Sequence, residues 1–502
     1  MHKTNKFSLG LPAKNIFANF TGAGWRVLAG LIFTPIYLFF LGIEAYALVG
    51  FAIVMQATVN ILDLGLSKSC SREMARLSCS DSFDISAPVM LRTFEVLYWS
   101  VAVIIGVMVV MSAPIISEQW LNYKNLNTTD VQYALMIMGM YLAIQWPVSM
   151  YAGGLLGLEK QVLMNAIDVS VTTIRYVGAF LVLWLVSPTI LAFFLWYAFV
   201  SLIHVLVLAF TLWKLVYKTG NKSIIGLDLN VLRNLWKFSA GVAATQVTSV
   251  AITQIDKIVL SKLLTLEWFG YYILANTAAS AVSFLVTPFS NAFFPRFSKF
   301  TESKRDEKEI RDLYHNGCQW VAIIIFPIVL TMILYHNQIL LLWTKDQNVA
   351  DHAGILLALL AAGFGLNSLA TLPYTMQLAY GWTSLALYQN IISLILQVPL
   401  LFLFINIFGA AGATLPRILH NLAYSVVLVP VMHTKLLRGE LRRWYWVGLL
   451  KPLLCAVSAC LLIYILFLRF GAEFPVWIFL GVSLLGGWGG GALFRSYKTV
   501  YA

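Results

Sequence analysis

The chain has 502 residues, of which 60% are hydrophobic and only 11% are charged, and its mean hydropathy is +0.80. A soluble domain carries about 25% charged residues, so this composition excludes a water-soluble globular protein and indicates an integral membrane protein. The formal net charge of +12 would suit a nucleic-acid partner, but in a membrane protein such an excess is typical of cytoplasmic loops.

Apolar runs of about 20 residues, long enough to cross a bilayer, follow one another along the whole chain. We therefore predict an all-α polytopic membrane protein with about fourteen transmembrane helices. The first run contains Arg26 and lacks a small-residue cleavage site, so we expect no cleavable signal peptide. The five cysteines have no metal-ligand spacing. The predicted spans are 16–41, 44–66, 87–112, 131–153, 163–186, 188–213, 237–261, 268–294, 317–343, 352–379, 383–407, 409–434, 446–468 and 474–494.

The basic residues predict the orientation of these spans. Of the 34 Lys and Arg residues, most fall in loops on the side of the N-terminus. The loops on the opposite side hold only Lys124, Lys262, Lys345 and Arg469. Because cytoplasmic loops collect Lys and Arg, both termini are predicted to be cytoplasmic.

An internal repeat relates two halves of the chain. Glu44 corresponds to Glu267 and Trp120 to Trp343, both at an offset of 223 residues. Halves of six spans each have the same orientation, and such parallel repeats hold the substrate between them and rock to give alternating access. The predicted parts are an N-lobe at 1–213, a cytoplasmic linker at 214–236, a C-lobe at 237–435 and two extra spans within 436–502.

Three arginines lie deep inside predicted spans. At 1.5 Å of rise per residue, Arg26 is about 15 Å deep, Arg175 about 18 Å and Arg417 about 12 Å. Each would cost roughly 2.5–3.5 kcal/mol if it faced lipid near the midplane. They therefore either line a hydrated cavity or form internal ion pairs that fix helix packing.

Helical spacing places several polar residues on common faces. Asn19, Gly22 and Arg26 form one stripe on the first span, and Asp168 and Arg175 share a face of the fifth. Because the deepest charges are arginines and the carboxylates lie shallower, the predicted cavity attracts anions. The planar fork of arginine suits phosphate oxygens.

Other intramembrane polar residues have two open interpretations each. Lys257 either binds the anion or extends its ammonium to the interface. Asp63 is either functional or a simple interface carboxylate, and His420, in a predicted cluster with Arg417 and Asn421, is either a titrating group or a packed histidine. Candidate anion-binding residues are Arg26, Arg175, Arg417, Asn19 and Lys257. Candidates for ion coupling or gating are Asp63, Asp168, Asp256 and His420.

Two motifs resemble a known family. "PIYLFFLGIEAYALVGFA" followed by "LDLGLSKSCSREMAR", within 35–76, resembles the N-terminal signature of bacterial polysaccharide flippases, with Ala47 where glycine is frequent. "QIDKIVLSKLLTLEWFGYY" at 254–272 and "FSNAFFPRFSK" at 289–299 are similar to second-half elements of the same family. The chain thus resembles the polysaccharide-transporter branch, with Wzx-type O-antigen flippases, of the multidrug/oligosaccharidyl-lipid/polysaccharide (MOP) exporter superfamily.

The resemblance implies a V-shaped fold of two helical lobes in the bacterial cytoplasmic membrane. It implies transport of an undecaprenyl-diphosphate-linked oligosaccharide from the inner to the outer leaflet. Apart from the resemblance, we expect no cofactor, and a proton or sodium gradient is the candidate driving force. A polysaccharide polymerase and chain-length proteins are candidate partners. The family's cationic cavity position in the first span matches Arg26.

Two other functions remain open from the sequence. A cation-coupled multidrug exporter of the same superfamily would show carboxylates at the midplane, where this chain has arginines. A membrane polymerase or ligase would need a catalytic outer loop, yet the longest predicted outer loop, 113–130, holds only Glu118, Lys124 and Asp130 as charged residues. No G-x-x-x-x-G-K-[ST] pattern indicates ATP as the driver.

Overall fold

The computed structural model describes residues 10–80, 83–217, 247–302, 307–470 and 475–499. Within these ranges the chain is helical and contains no β-strand, only an isolated bridge between Asn122 and Thr265. The prediction of an all-α protein is confirmed. Inside a bilayer every backbone N–H and C=O group must form its hydrogen bond within the protein, and an α-helix forms these bonds within its own segment.

The helices are numbered in chain order. The first half contains α1 (Gly10–Val59), α2 (Leu66–Ser78), α3 (Phe83–Ile115), α4 (Thr128–Gln145), α5 (Val148–Gly157), α6 (Gln161–Leu185), α7 (Ile190–Val216) and α8 (247–263). The next helices are α9 (Leu266–Phe284), α10 (Thr287–Glu302), α11 (Glu307–Leu334), α12 (His336–Thr344), α13 (Gln347–Leu369) and α14 (Thr371–Ala379). The last helices are α15 (Thr383–Phe408), α16 (Leu415–Ala423), α17 (Val429–Leu436), α18 (Leu441–Arg443), α19 (Lys451–Phe470) and α20 (Val476–Thr499).

Ten helical runs among the described residues are long and apolar enough to cross a membrane, which makes the chain a multi-pass membrane protein. Two of these runs, Asn19–Asp63 and Leu387–Leu436, each cover most of two predicted spans. The breaks fall at Gly42 (φ 73°) and Gly409 (φ 59°), because glycine adopts the left-handed conformation without a Cβ clash. About fourteen spans therefore remains the appropriate description.

Contacts divide the chain into two compact units, Met1–Gly270 and Tyr271–Ala502. In the first unit, α3, α4 and α5 pack with α7 around a core that includes Phe94, Tyr98 and Trp146. Also in the first unit, α1 packs along α6. This α1–α6 contact positions the first candidate arginine.

The first unit also includes α8, which the repeat assigns to the C-lobe. Trp120 donates its indole N–H to Ser261 Oγ at 2.9 Å, and the ammonium of Lys262 lies 4.8 Å from the Trp120 ring centroid. The predicted linker, 214–236, falls almost entirely outside the described residues. The lobe boundaries therefore stay a prediction.

In the second unit, α11 packs against α13, α19 and α20. Its main core includes Phe297, Tyr314 and Trp444, and a smaller cluster around Tyr335 joins α19 and α20. The two extra C-terminal spans are thus packed on α11 within this unit.

Candidate functional site

Arg26 forms an ion pair that joins α1 to α6. Its Nη1 lies 2.5 Å from Asp168 Oδ2, and the side chains of Arg26 and Asp168 are 46% and 26% exposed. The other oxygen of that carboxylate, Oδ1, lies 3.3 Å from Nε2 of His204 on α7, whose side chain is 5% exposed. One carboxylate therefore connects an accessible arginine to a buried histidine.

The polar stripe predicted on the first span faces α6. Asn165 donates its Nδ2 to Asn19 Oδ1 at 2.6 Å, and Trp25 donates its Nε1 to Thr173 Oγ1 at 2.9 Å. A Cβ added to Gly22 would lie 2.7 Å from Asn165 Oδ1, so the absence of a side chain there permits the close approach of the helices. The stripe fixes the helix position from which Arg26 reaches Asp168.

Arg175 lies two turns further along α6, in a polar and aromatic surrounding. Its Nη2 donates to Gln145 Oε1 at 3.0 Å and to Ser201 Oγ at 3.1 Å. The guanidinium carbon lies 5.7 Å from the Tyr197 ring centroid. The Nε atom is buried and has no hydrogen-bond partner among the described residues. Its hydrogen-bond partners are uncharged, and its charge also acts on the carboxylate of Asp168, two turns away on the same helix.

Arg417, in the second unit, packs differently. Its guanidinium carbon lies 4.7 Å from the centroid of the Phe364 ring on α13. Next to it on α16, Asn421 donates its Nδ2 to the backbone oxygen of Gly363 at 3.1 Å. Arg417 and Asn421 therefore both face α13.

The members of the predicted cluster of Arg417, His420 and Asn421 reach different neighbouring helices, and a common role for them stays a prediction. His420 turns to α15, where its Nδ1 lies 2.6 Å from Ser393 Oγ. There it lines a mostly apolar cavity of about 430 Å³ between α15 and α16. Side chains three residues apart on a helix point about 60° apart, and side chains four residues apart point about 40° apart. His420 lies three residues after Arg417, and this difference is enough for the two side chains to reach different neighbouring helices.

The remaining candidates have local partners. Asp63 is 4% exposed, and its carboxylate accepts hydrogen bonds from the hydroxyls of Tyr98 (2.5 Å), Ser67 (2.8 Å) and Ser149 (3.3 Å). Asp63 is therefore a buried acceptor held by hydroxyls.

Asp256 and Lys257 form a buried ion pair of their own. Lys257 Nζ lies 3.2 Å from Asp256 Oδ1 and donates to the Thr253 backbone oxygen at 2.6 Å. The two residues are 1% and 7% exposed. This geometry engages the ammonium locally, and an anion-binding role for Lys257 stays a prediction.

Sequence reasoning missed His204, Gln145 and Ser201. A signal existed for His204, because an ionisable residue in the middle of an apolar span is a functional candidate by the same argument that selected the arginines. Gln145 and Ser201 are common polar residues in helices, and only the packing of α4 and α7 against α6 brings them to Arg175.

The comparisons with known proteins bear on this geometry. The family described as "Polysaccharide biosynthesis protein" matches residues 13–301, more than half of the chain. The chain belongs to this family. The MatE family also matches, over residues 242–403. A Shigella flexneri protein named "Putative O-antigen transporter" is 21% identical over 378 residues, which cover 75% of this chain and 86% of that protein.

Solved structures show the fold. An inward-facing multidrug resistance MATE family transporter of the MOP superfamily superposes with a TM-score of 0.68 at 14% identity, covering 83% of this chain and 96% of that one. The lipid II flippase MurJ, in an inward closed conformation, gives 0.67 at 12% identity and covers 97% of this chain and 100% of that one. The predicted resemblance to the polysaccharide-transporter branch of the MOP superfamily is confirmed, and the relative and the fold neighbours named here are transporters or flippases.

Proposed function

We propose that the chain moves an undecaprenyl-diphosphate-linked oligosaccharide, such as an O-antigen, capsule or exopolysaccharide repeat unit, from the inner to the outer leaflet. The membrane would be the bacterial cytoplasmic membrane, with both termini in the cytoplasm. Support comes from the polysaccharide biosynthesis family, from the name of the Shigella flexneri relative, and from a fold similar to that of a lipid II flippase.

The observation that carries this proposal is the shared carboxylate of Asp168. A diphosphate that reaches the half-exposed Arg26 can replace Asp168 on its guanidinium, because arginine binds phosphate oxygens through charge-assisted hydrogen bonds. Asp168 then keeps His204 as its partner, 3.3 Å away. The exchange gives the anion a cation without leaving the partly buried carboxylate of Asp168 unpaired, which would be costly.

Arg175 supplies a second positive charge, on α6, the helix that carries Asp168. It is seven residues, or about 10 Å, from Asp168 along α6, and its polar partners in the described structure are neutral. Two cations in succession suit an anion that moves along the helix, because each site on the path must bind the headgroup and also release it. Arg417 is proposed as a further cation because it lies about 12 Å deep in its predicted span.

The same arrangement suggests where the driving ion acts. Two of the four candidates for coupling contact a candidate anion-binding cation, Asp168 with Arg26 and Asp256 with Lys257, and of these two pairs the Arg26 pair is the accessible one. A proton taken up by the pair of Asp168 and His204 would compensate the loss of Arg26 to the substrate. Proton coupling at this pair is our proposal, and sodium coupling is its alternative.

The test is leaflet transfer by the full chain in proteoliposomes. The probe is undecaprenyl diphosphate carrying a fluorescent sugar, and transfer is measured by protection from a membrane-impermeant quencher. We expect transfer of this lipid and not of an uncharged undecaprenyl glycoside with the same fluorophore. Equal transfer of both lipids, or of neither, would contradict the proposal.

A multidrug exporter is the second candidate, favoured by the MatE match over residues 242–403 and the MATE superposition. Overexpression in a strain that lacks its own exporters should then raise resistance to cationic dyes. Dye resistance without transfer of the diphosphate lipid would select this function. Transfer without resistance would select the flippase.

A further inference from the structure

The segment Gly439–Leu450 follows the run Leu387–Leu436 and includes the start of the next run, Leu441–Phe470, and both runs are long and apolar enough to cross the membrane. It contains an open pocket of about 850 Å³ that the segment itself lines, with two arginines at one end and aromatic and apolar side chains at the other. A pocket at the end of two spans lies at the boundary between lipid headgroups and acyl chains. Its chemistry changes from cationic to apolar over about three helical turns.

One of these arginines, Arg443, is held in place by acidic residues. Its Nη2 donates to Asp312 Oδ1 at 2.7 Å, and its Nη1 lies 3.5 Å from Glu440 Oε2. Glu440 also lines the pocket, and its charge alone would repel an anion. Glu440 is however contacted by two arginines, Arg311 at 3.7 Å and Arg443 at 3.5 Å, and its Oε2 also lies 2.8 Å from Nε2 of His315.

The other arginine, Arg442, is exposed and has no hydrogen bond or ion pair within the part of the chain that the structure describes. Trp446, one turn further on, is 52% exposed, and Val447 and Leu450 continue the same lining. Tryptophan is enriched where acyl chains meet headgroups. An available guanidinium next to an indole and an aliphatic surface matches the two parts of a charged lipid.

We propose that this pocket binds an anionic phospholipid, with its phosphate on Arg442 and its acyl chain along Trp446 and Leu450. Basic side chains next to a span attract anionic lipids, and arginine binds phosphate through several directed hydrogen bonds. Charge complementarity selects the lipid, because zwitterionic lipids present no net charge to the arginine pair. This site is separate from the candidate transport residues and does not depend on the proposed substrate.

The test is lipid titration of the purified full chain in a zwitterionic detergent, followed by native mass spectrometry. We compare wild type with Arg442→Gln and with Arg438→Gln, a matched control. Arg438 is also exposed, lies four residues away in the turn after α17, and among the described residues donates to the Thr434 backbone oxygen at 3.2 Å. It does not line the pocket.

We expect Arg442→Gln to weaken the binding of phosphatidylglycerol about fivefold, as for the loss of one basic side chain at an anionic surface, and Arg438→Gln to change it less than twofold. Trp446→Ala should weaken it also, without a change of charge. Equal losses in both arginine variants would overturn the proposal in favour of diffuse attraction, and no loss in either would overturn it outright. If millimolar inorganic phosphate displaced the lipid, the pocket would be a site for a free anion, and the proposal of a lipid site would be overturned.

Discussion

Two arginine–carboxylate pairs in the first unit resemble each other in exposure and differ in their surroundings. Arg26 and Asp168 are 46% and 26% exposed, and Arg92 and Glu95 are 50% and 7% exposed. The Arg92 pair lies on one helix, whereas the Arg26 pair joins α1 to α6.

The third partner of each carboxylate separates the two pairs. Glu95 accepts hydrogen bonds from Tyr151 Oη at 2.8 Å and from Trp213 Nε1 at 2.6 Å, both neutral donors. Asp168 instead faces His204, which can change its charge. The exposure of an arginine therefore does not by itself indicate a role in transport. A carboxylate partner that also faces a histidine is the feature that distinguishes Arg26 from Arg92.

The largest expected effect is the loss of transport in the Arg26→Gln variant. Loss of a charge-assisted contact with a phosphate costs about 1.5–3 kcal/mol, or at least tenfold in affinity. We expect the rate of leaflet transfer in proteoliposomes to fall at least tenfold. Arg92→Gln removes an equally exposed arginine from a paired carboxylate and should keep the rate within twofold. Similar losses in both variants would mean that the pairs do not differ in function.

The second prediction compares the carboxylates of the two pairs by the stability of the folded protein. Glu95→Gln puts an NH₂ group where three donors converge, which should lower the free energy of unfolding by about 1–3 kcal/mol. The expected readout is a lower Tm in detergent with normal transfer per folded molecule. Asp168→Asn should do the opposite, with a smaller change in Tm and a large loss of transfer. A stable Glu95→Gln protein that fails in transport would assign Glu95 a functional role.

The third prediction tests whether helix packing sets the geometry of the Arg26 pair. Gly22→Ala adds a methyl group 2.7 Å from Asn165 Oδ1, and overpacking of this kind costs about 1 kcal/mol or more. Gly30→Ala is the control, because its Cβ would lie 3.7 Å from the Tyr176 hydroxyl, an ordinary contact. We expect a lower Tm and slower transfer only for Gly22→Ala. Equal behaviour of the two variants would show that α1 and α6 adjust freely.

The smallest expected effect is that of His204→Gln on substrate binding. When Arg26 binds the diphosphate, Asp168 keeps His204 as its partner, 3.3 Å away, and a glutamine side chain can replace that contact only in part. We expect the affinity for undecaprenyl diphosphate to fall about threefold, as for the loss of one hydrogen bond of modest strength, measured by ligand-dependent Tm. An unchanged affinity would remove His204 from the exchange.

The predictable parts of this site were those determined along a single helix. The spacing of Arg92 and Glu95 predicts their pair, and the seven-residue spacing of Asp168 and Arg175 predicts a common face. Apolar run lengths predict the spans because the bilayer sets one length for all of them. The all-α fold and the family followed from the same local information.

The contacts between helices could not be predicted from local spacing. The pairing of Arg26 with Asp168 depends on the packing of α1 against α6, and the approach of His204 depends on α7. Likewise, Arg417 and His420 are neighbours in sequence but reach α13 and α15 respectively. Tertiary packing decides which of several polar residues on a helix share a partner.

The break at Gly42 has a mechanical consequence. A single left-handed residue joins the two arms of α1 there, and a Cβ at that position would have open space around it. Arg26 lies sixteen residues from this joint, a lever of about 24 Å. A rotation of about 10° at Gly42 would displace Arg26 by about 4 Å over this distance, which exceeds the length of its ion pair. Gly42 can therefore act as the fulcrum on which a small angular change opens or closes the contact with Asp168.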